Sequence, residues 1–166
     1  MSKKPNPKIL TESRSTQFIE TRLRRNKKIA ATRSESISEL AELDLWDQVV
    51  RVRQGLPSVC VVEMSDALAM SRTTFINDLQ LARSTIEGRI KKKTHLTTME
   101  GQRVLRAVKV LAKAEAVFED RTKASAWIKR EIRSLGGVTP ISLLVTSPGF
   151  ELVMHKLGQI EYGVVA

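Results

Sequence analysis

Two hydroxyl–proline steps in the last third of the chain constrain its fold more than any other feature. Thr139-Pro140 and Ser147-Pro148 each place an N-capping hydroxyl directly before a proline. Proline suits the first helical position, because the N–H it lacks would have no helical partner there. Each step therefore predicts a helix start. Between them Ile141, Leu143, Leu144 and Val145 form a short apolar run. After Pro148, residues Phe150, Val153, Met154, Leu157 and Ile160 recur at intervals of three and four, which is one face of an amphipathic helix. Gly158 interrupts that face and Gly163 ends it. Upstream, Ala124 and Ala126 accompany Trp127 and Ile128 on another short helix, and Leu135-Gly136-Gly137 reads as a turn. The expectation is a compact mini-bundle with Trp127 as its anchor.

The rest of the chain reads as helical too. Residues 1–34 carry ten basic side chains against two acidic ones, with few apolar residues, which predicts a basic flexible arm. Such an arm either supplies non-specific phosphate contacts or is simply a solvated tail. Residues 35–54 turn acidic. Ser34 or Ser36 can cap an amphipathic helix bearing Ile37, Leu40, Leu43, Trp46, Val49 and Val50, with Trp46 expected in a core. Gly55-Leu56-Pro57 breaks the chain and Ser58 restarts it.

Residues 59–93 carry the candidate DNA-binding unit. A helix over about Val59 to Ala69 precedes a short one, Arg72 to Leu79, capped by Ser71. The turn Gln80-Leu81-Ala82 leads into a second helix, about Arg83 to Lys93. Two short helices joined by such a turn make a helix-turn-helix unit, whose second helix enters the major groove with its first residues towards the bases. That places Arg83, Ser84 and Thr85, with Glu87 and Gly88, near base edges, and Arg89, Lys91, Lys92 and Lys93 near phosphates. Arg72 and Thr73, at the start of the first helix, complete the DNA-binding set. A three-helix unit used only for structure or dimerisation is the second reading. Thr97-x-x-Glu100 then forms a capping box before a long helix with Val104, Leu105, Val108, Leu111, Ala112 and Val117 on its apolar face. It ends near Phe118, and Asp120 caps the next helix. A helix of this length joins the two halves in one core.

Here a resemblance emerges. A-x-x-V-F-x-D-x-x-x-A-x-x-W-I from Ala114, then L-G-G-x-T-P-I-x-L-L-x-T-x-x-G from Leu135, then L-G-x-I-E-Y-G from Leu157 resemble the C-terminal toxin-binding domain of the Xre/MbcA/ParS antitoxins. The similarity covers roughly residues 59–166 and is strongest after 114. It implies an all-α antitoxin, with a helix-turn-helix bundle joined by a long helix to a small C-terminal helical toxin-binding domain. The implied segments are a basic arm at 1–34, an Xre-like helix-turn-helix region at 35–107 and a toxin-binding domain at 108–166. The implied partners are a RES-domain toxin that destroys NAD, and operator DNA through which the protein represses its own operon as a homodimer. By the same resemblance the toxin-binding residues are Leu157, Gly158, Ile160, Glu161, Tyr162, Gly163, Val164, Val165 and Ala166. The chain departs from the family pattern at Gln80, where the turn usually holds glycine, at Ala82, where the cap is usually serine, and at Gly88 inside the recognition helix. A stand-alone DNA-binding regulator or adaptor without a toxin is the alternative.

Composition narrows the classes further. The formal net charge of +10 points to an anionic partner. Cys60 is the only cysteine, which suits a small buried hydrophobe in a reducing compartment. No apolar run approaches the ~20 residues of a membrane span, and no hydrophobic signal core follows the first lysines, so a cytoplasmic protein is expected. His95 and His155 are the only histidines, and neither an HExxH nor a G-x-S-x-G spacing is present. No catalytic residue, metal site or cofactor is expected, and the chain does not read as an enzyme.

Overall fold

A computed structural model describes residues 36–163. The expected arm at 1–34, the alternative cap Ser34 and the tail residues Val164, Val165 and Ala166 lie outside the described residues. Every regular element among those described is helical: α1 (Ile37–Glu42), α2 (Leu45–Gln54), α3 (Val59–Ala67), α4 (Arg72–Asp78), α5 (Arg83–Lys92), α6 (Thr98–Phe118), α7 (Arg121–Lys129), a 3-10 turn (Arg133–Leu135), α8 (Pro140–Leu143) and α9 (Ser147–Glu161). The fold is all-α.

The long helix α6 holds the arrangement together. Its start is the expected capping box: Glu100 N donates to Thr97 Oγ1 at 3.3 Å and Thr97 N donates to Glu100 Oε2 at 2.7 Å. Around it pack α1, α2, α3, α7 and α9. Neighbours on several sides explain why α6 buries Gly101, Ala107, Val110 and Ala114 as well as Val104, Val108 and Leu111. Of the apolar face expected from spacing, Leu105, Ala112 and Val117 are only half-buried. One cluster of buried side chains runs from Leu40 through Met64, Phe75, Ile86 and Val108 to Trp127, Ile141 and Leu157. The half that holds α3–α5 and the C-terminal half thus share a core.

Caps decide most boundaries. Thr74 N donates to Ser71 Oγ at 3.0 Å to start α4, and Lys123 N donates to Asp120 Oδ1 at 2.9 Å to start α7. Several expectations need correction. The stretch 35–54 is two helices rather than one. Asp44 accepts a hydrogen bond from Asp47 N at 2.8 Å, and Gln48 Nε2 donates to Leu43 O at 2.8 Å, so the chain turns at Leu43-Asp44. Ser36 caps α1, Trp46 is half-buried and Val49 faces outward. The last helix is capped by Thr146, not Ser147. Gly149 N donates to Thr146 Oγ1 at 3.1 Å, which moves Ser147 into the first helical position and Pro148 into the second. Pro140 opens α8 as expected, but the Thr139 side chain makes no capping bond. Trp127 is buried, with its ring 5.9 Å from that of Phe118.

Candidate functional site

Two candidate surfaces rise from this core. The first is the pair α4–α5. Phe75, Ile76 and Leu79 of the first helix and Ile86 of the second are fully buried, so the pair is pinned from beneath. Its turn passes through Gln80 at φ +50, a left-handed conformation that costs a non-glycine residue roughly 1–2 kcal/mol. The family's usual glycine belongs at this position for that reason. Here the strain is held by tertiary contact: Arg103 of α6 donates to Leu79 O at 3.0 Å and to Gln80 O at 2.7 Å. Ala82 starts α5 without a side-chain cap.

The expected DNA-binding residues divide into two groups. Arg83, Ser84 and Thr85 are exposed on the first turn of α5, and Lys91, Lys92 and Lys93 are exposed at its end. Arg72 is exposed but its guanidinium lies 3.3 Å from Glu87 Oε2, bridging α4 to α5. Thr73 is half-buried. Arg89 turns inward: it donates to His95 O at 2.8 Å and lies 3.6 Å from Glu100 Oε2. Its guanidinium fastens the loop after α5 to the start of α6, so it is less available to a phosphate than its place in sequence implies. Asp78, at the end of α4, carries a carboxyl raised above its ordinary range by burial.

The second surface is the end of α9. Leu157 is fully buried against the core and supports the helix from beneath. Gly158 is half-buried with open space where a side chain would project, and Ile160 is half-buried. Glu161 Oε2 accepts from Lys113 Nζ at 2.6 Å. Tyr162 follows with 80 % of its surface exposed, and Gly163 turns the chain at φ +67.

Sequence reasoning missed four side chains that set these surfaces. Arg103, Arg106, Lys109 and Lys113 lie along one side of α6. Arg106 donates to Leu144 O and Val145 O, both at 3.0 Å, and to Ser147 Oγ at 2.8 Å, satisfying the end of α8 and fixing the start of α9. Burial first, and the nearby Arg103 charge second, lower its pKa from the ordinary value. Lys109 Nζ sits 5.7 Å from the Phe150 ring centre. Cations recurring at three and four along α6 were the available signal. Among the described residues, no cluster of three or more His, Cys, Asp or Glu is placed to hold a metal, and no helix is long and apolar enough to cross a membrane.

Comparison with known proteins gives these surfaces a context. Residues 113–163 match the model of the antitoxin Xre/MbcA/ParS C-terminal toxin-binding domain. The chain is 34 % identical over 116 residues to the Antitoxin Xre of Photorhabdus laumondii subsp. laumondii, covering 69 % of this chain and 78 % of that one. It is 29 % identical over 113 residues to the Antitoxin Xre of Pseudomonas putida, covering 68 % and 70 % of the two chains. A Prs ADP-ribosylating antitoxin of a Sphingobium species is 26 % identical over 129 residues, covering 72 % and 81 %. The helical fold and the matched domain define an antitoxin of a toxin–antitoxin system, with a toxin as partner. The chain belongs to the Xre/MbcA/ParS antitoxin family.

Proposed function

We propose that the chain neutralises a RES-type, NAD-degrading toxin through the end of α9 and the tail beyond it. The observation that carries this reading is Tyr162: a large ring with a polar tip, 80 % exposed, at the end of a helix pinned at its start by Arg106 and at its end by Lys113. Exposed tyrosine on a rigid support is a common interface anchor, because little side-chain freedom is given up on binding. Gly158, Ile160, Glu161 and Gly163 surround it, and Val164, Val165 and Ala166 extend it. The antitoxin acts in the cytoplasm by binding rather than by catalysis. The test is co-expression with the product of the adjacent gene, followed by pull-down and an NAD assay. A stable complex with NAD preserved is expected. Free toxin, and NAD falling as fast as without the antitoxin, would reject that partner.

The same protein represses its own operon by binding DNA as a homodimer, with α4–α5 as the reading unit. Exposed Arg83, Ser84 and Thr85 above fully buried Ile86 favour this, since the helix offers polar side chains outward from a fixed seat. Under this reading the chain divides into the arm 1–34, the DNA-binding region 35–107 and the toxin-binding domain 108–166. Arg83→Ala lowers discrimination between operator and random duplex. Equal loss on both would remove Arg83 from base reading. A regulator without a toxin partner is the second reading, favoured only if pull-down fails while DNA binding holds.

A further inference from the structure

The C-terminal half is bonded directly to the corner that leads into the helix-turn-helix pair. Ser125 Oγ of α7 donates to Leu68 O at 2.6 Å. Lys129 Nζ, at the end of α7, donates to Leu68 O at 2.5 Å and to Ala69 O at 3.2 Å. These carbonyls end α3 and have no helical partner of their own, so the two side chains satisfy a real need. Two residues past Ala69, Ser71 caps α4, and Arg72 reaches across to Glu87 on α5. The end of α7 is therefore fixed beside the start of α4.

Past Lys129 come Arg130, Glu131 and Arg133, all exposed, with a net charge of +1. Arg130 and Arg133 are exposed, and neither guanidinium makes a hydrogen bond or ion pair among the described residues. Lys123 is exposed on α7 as well, and α7 contains no acidic residue. The contrast with α6 is informative. There Arg103, Arg106, Lys109 and Lys113 are each committed to a carbonyl, a ring or a carboxylate. Two solvated guanidinium groups follow a helix end held to the corner before α4, and in a helix-turn-helix complex the first helix of the pair crosses the DNA backbone.

We propose that Arg130 and Arg133, from the toxin-binding half, form a second phosphate-contact surface for duplex DNA flanking the site covered by α4 and α5. This rests on the DNA-binding reading above. Phosphate is the fitting ligand because a guanidinium fork meets two of its oxygens at once. The surface follows Lys129, whose bonds to Leu68 O and Ala69 O hold the end of α7 to the corner before α4. The toxin-binding half then contributes to DNA affinity without reading bases.

The test compares the full-length chain with its Arg130→Ala/Arg133→Ala variant on a mixed-sequence duplex of about 40 base pairs, roughly four helical turns. Fluorescence anisotropy is followed across a salt series, with melting temperature as the folding control. The variant should bind more weakly, and its salt dependence should flatten by about two in log–log slope per chain, one for each phosphate that is no longer neutralised. Its melting temperature should not move, because both side chains are exposed and unpaired. Arg130→Lys/Arg133→Lys should restore most of the slope. Unchanged affinity and slope in the alanine variant would overturn the proposal. So would unchanged DNA binding together with failure to capture the toxin, which would assign the surface to the protein partner. Absence of DNA binding by the unmodified chain removes the DNA reading itself, and this proposal with it.

Discussion

Helices α5 and α9 carry the two proposed interfaces, and they are seated in opposite ways. The ten-residue α5 buries only Ile86, has no side-chain cap and contains Gly88 in open space. The fifteen-residue α9 buries Gly149, Val153 and Leu157, is capped by Thr146, and is tied to α6 by Arg106 at one end and Lys113 at the other. Helix stability in a protein comes mainly from tertiary packing. By that measure α5 depends on α4 and on the turn held by Arg103, while α9 is part of the core. A helix that leaves most of its surface to a partner is lightly held. A helix that must aim a short tail is held firmly along its length.

Glycine substitutions should separate the two cases most sharply. At Gly149 a Cβ would lie 2.1 Å from Leu143 O and 2.9 Å from Leu143 C, both backbone atoms that cannot step aside. Gly149→Ala should destabilise by about 3 kcal/mol, read by thermal or denaturant unfolding, with the α8–α9 junction displaced. Arg106→Ala comes next, at about 2 kcal/mol, because it strands the Leu144 and Val145 carbonyls. It should weaken toxin capture more than DNA binding, and Arg103→Ala should do the reverse. Matching losses from both would break the division of labour along α6. Gly88→Ala has the opposite sign: nothing lies within 4 Å of the added carbon, so α5 should gain about 1 kcal/mol. Destabilisation there would mean that α5 needs its glycine for a contact made only with a partner. The smallest effect is expected at Asp78, whose carboxyl pKa is raised by burial at the end of α4. A raised folded-state pKa means the charged form is penalised in the fold, so stability falls as pH rises from the ordinary aspartate value through the folded value. The negative charge is also unfavourable at a helix C-terminus. Asp78→Asn should raise the melting temperature slightly at neutral pH, and that gain should vanish below the ordinary aspartate pKa.

Local chemistry was the legible part. Ser71, the Thr97–Glu100 box and Asp120 start helices where their residue types predict, because a cap needs only the three residues after it. The family motifs placed the toxin-binding domain, and the left-handed Gln80 accounts for the glycine usual at that turn. What escaped depends on distant partners. Thr146 and Ser147 are equivalent hydroxyls in sequence, and only the approach of the chain from α8 decides which one meets Gly149 N. Val110 and Ala114 fall outside the apolar face read from spacing, but α6 is surrounded and buries them. Arg103 and Arg106 were not singled out, since their acceptors lie 23 to 41 residues away and most are backbone carbonyls, which no residue type advertises. Leu157 belongs to the same motif as Tyr162, yet one lies beneath the helix and the other beyond it.

We propose that α6 supports two separable interfaces, at α5 and at the end of α9, with neutralisation at the latter. The most direct measurement is deletion of Tyr162 to Ala166, with two readouts on the same preparation: capture of the toxin with cellular NAD level, and anisotropy on the upstream duplex. Exposed Tyr162 and Gly163 contribute little to the core, so the shortened chain should fold and keep its DNA affinity while losing the toxin and allowing NAD to fall. A shortened chain that still captures the toxin and preserves NAD would contradict the account.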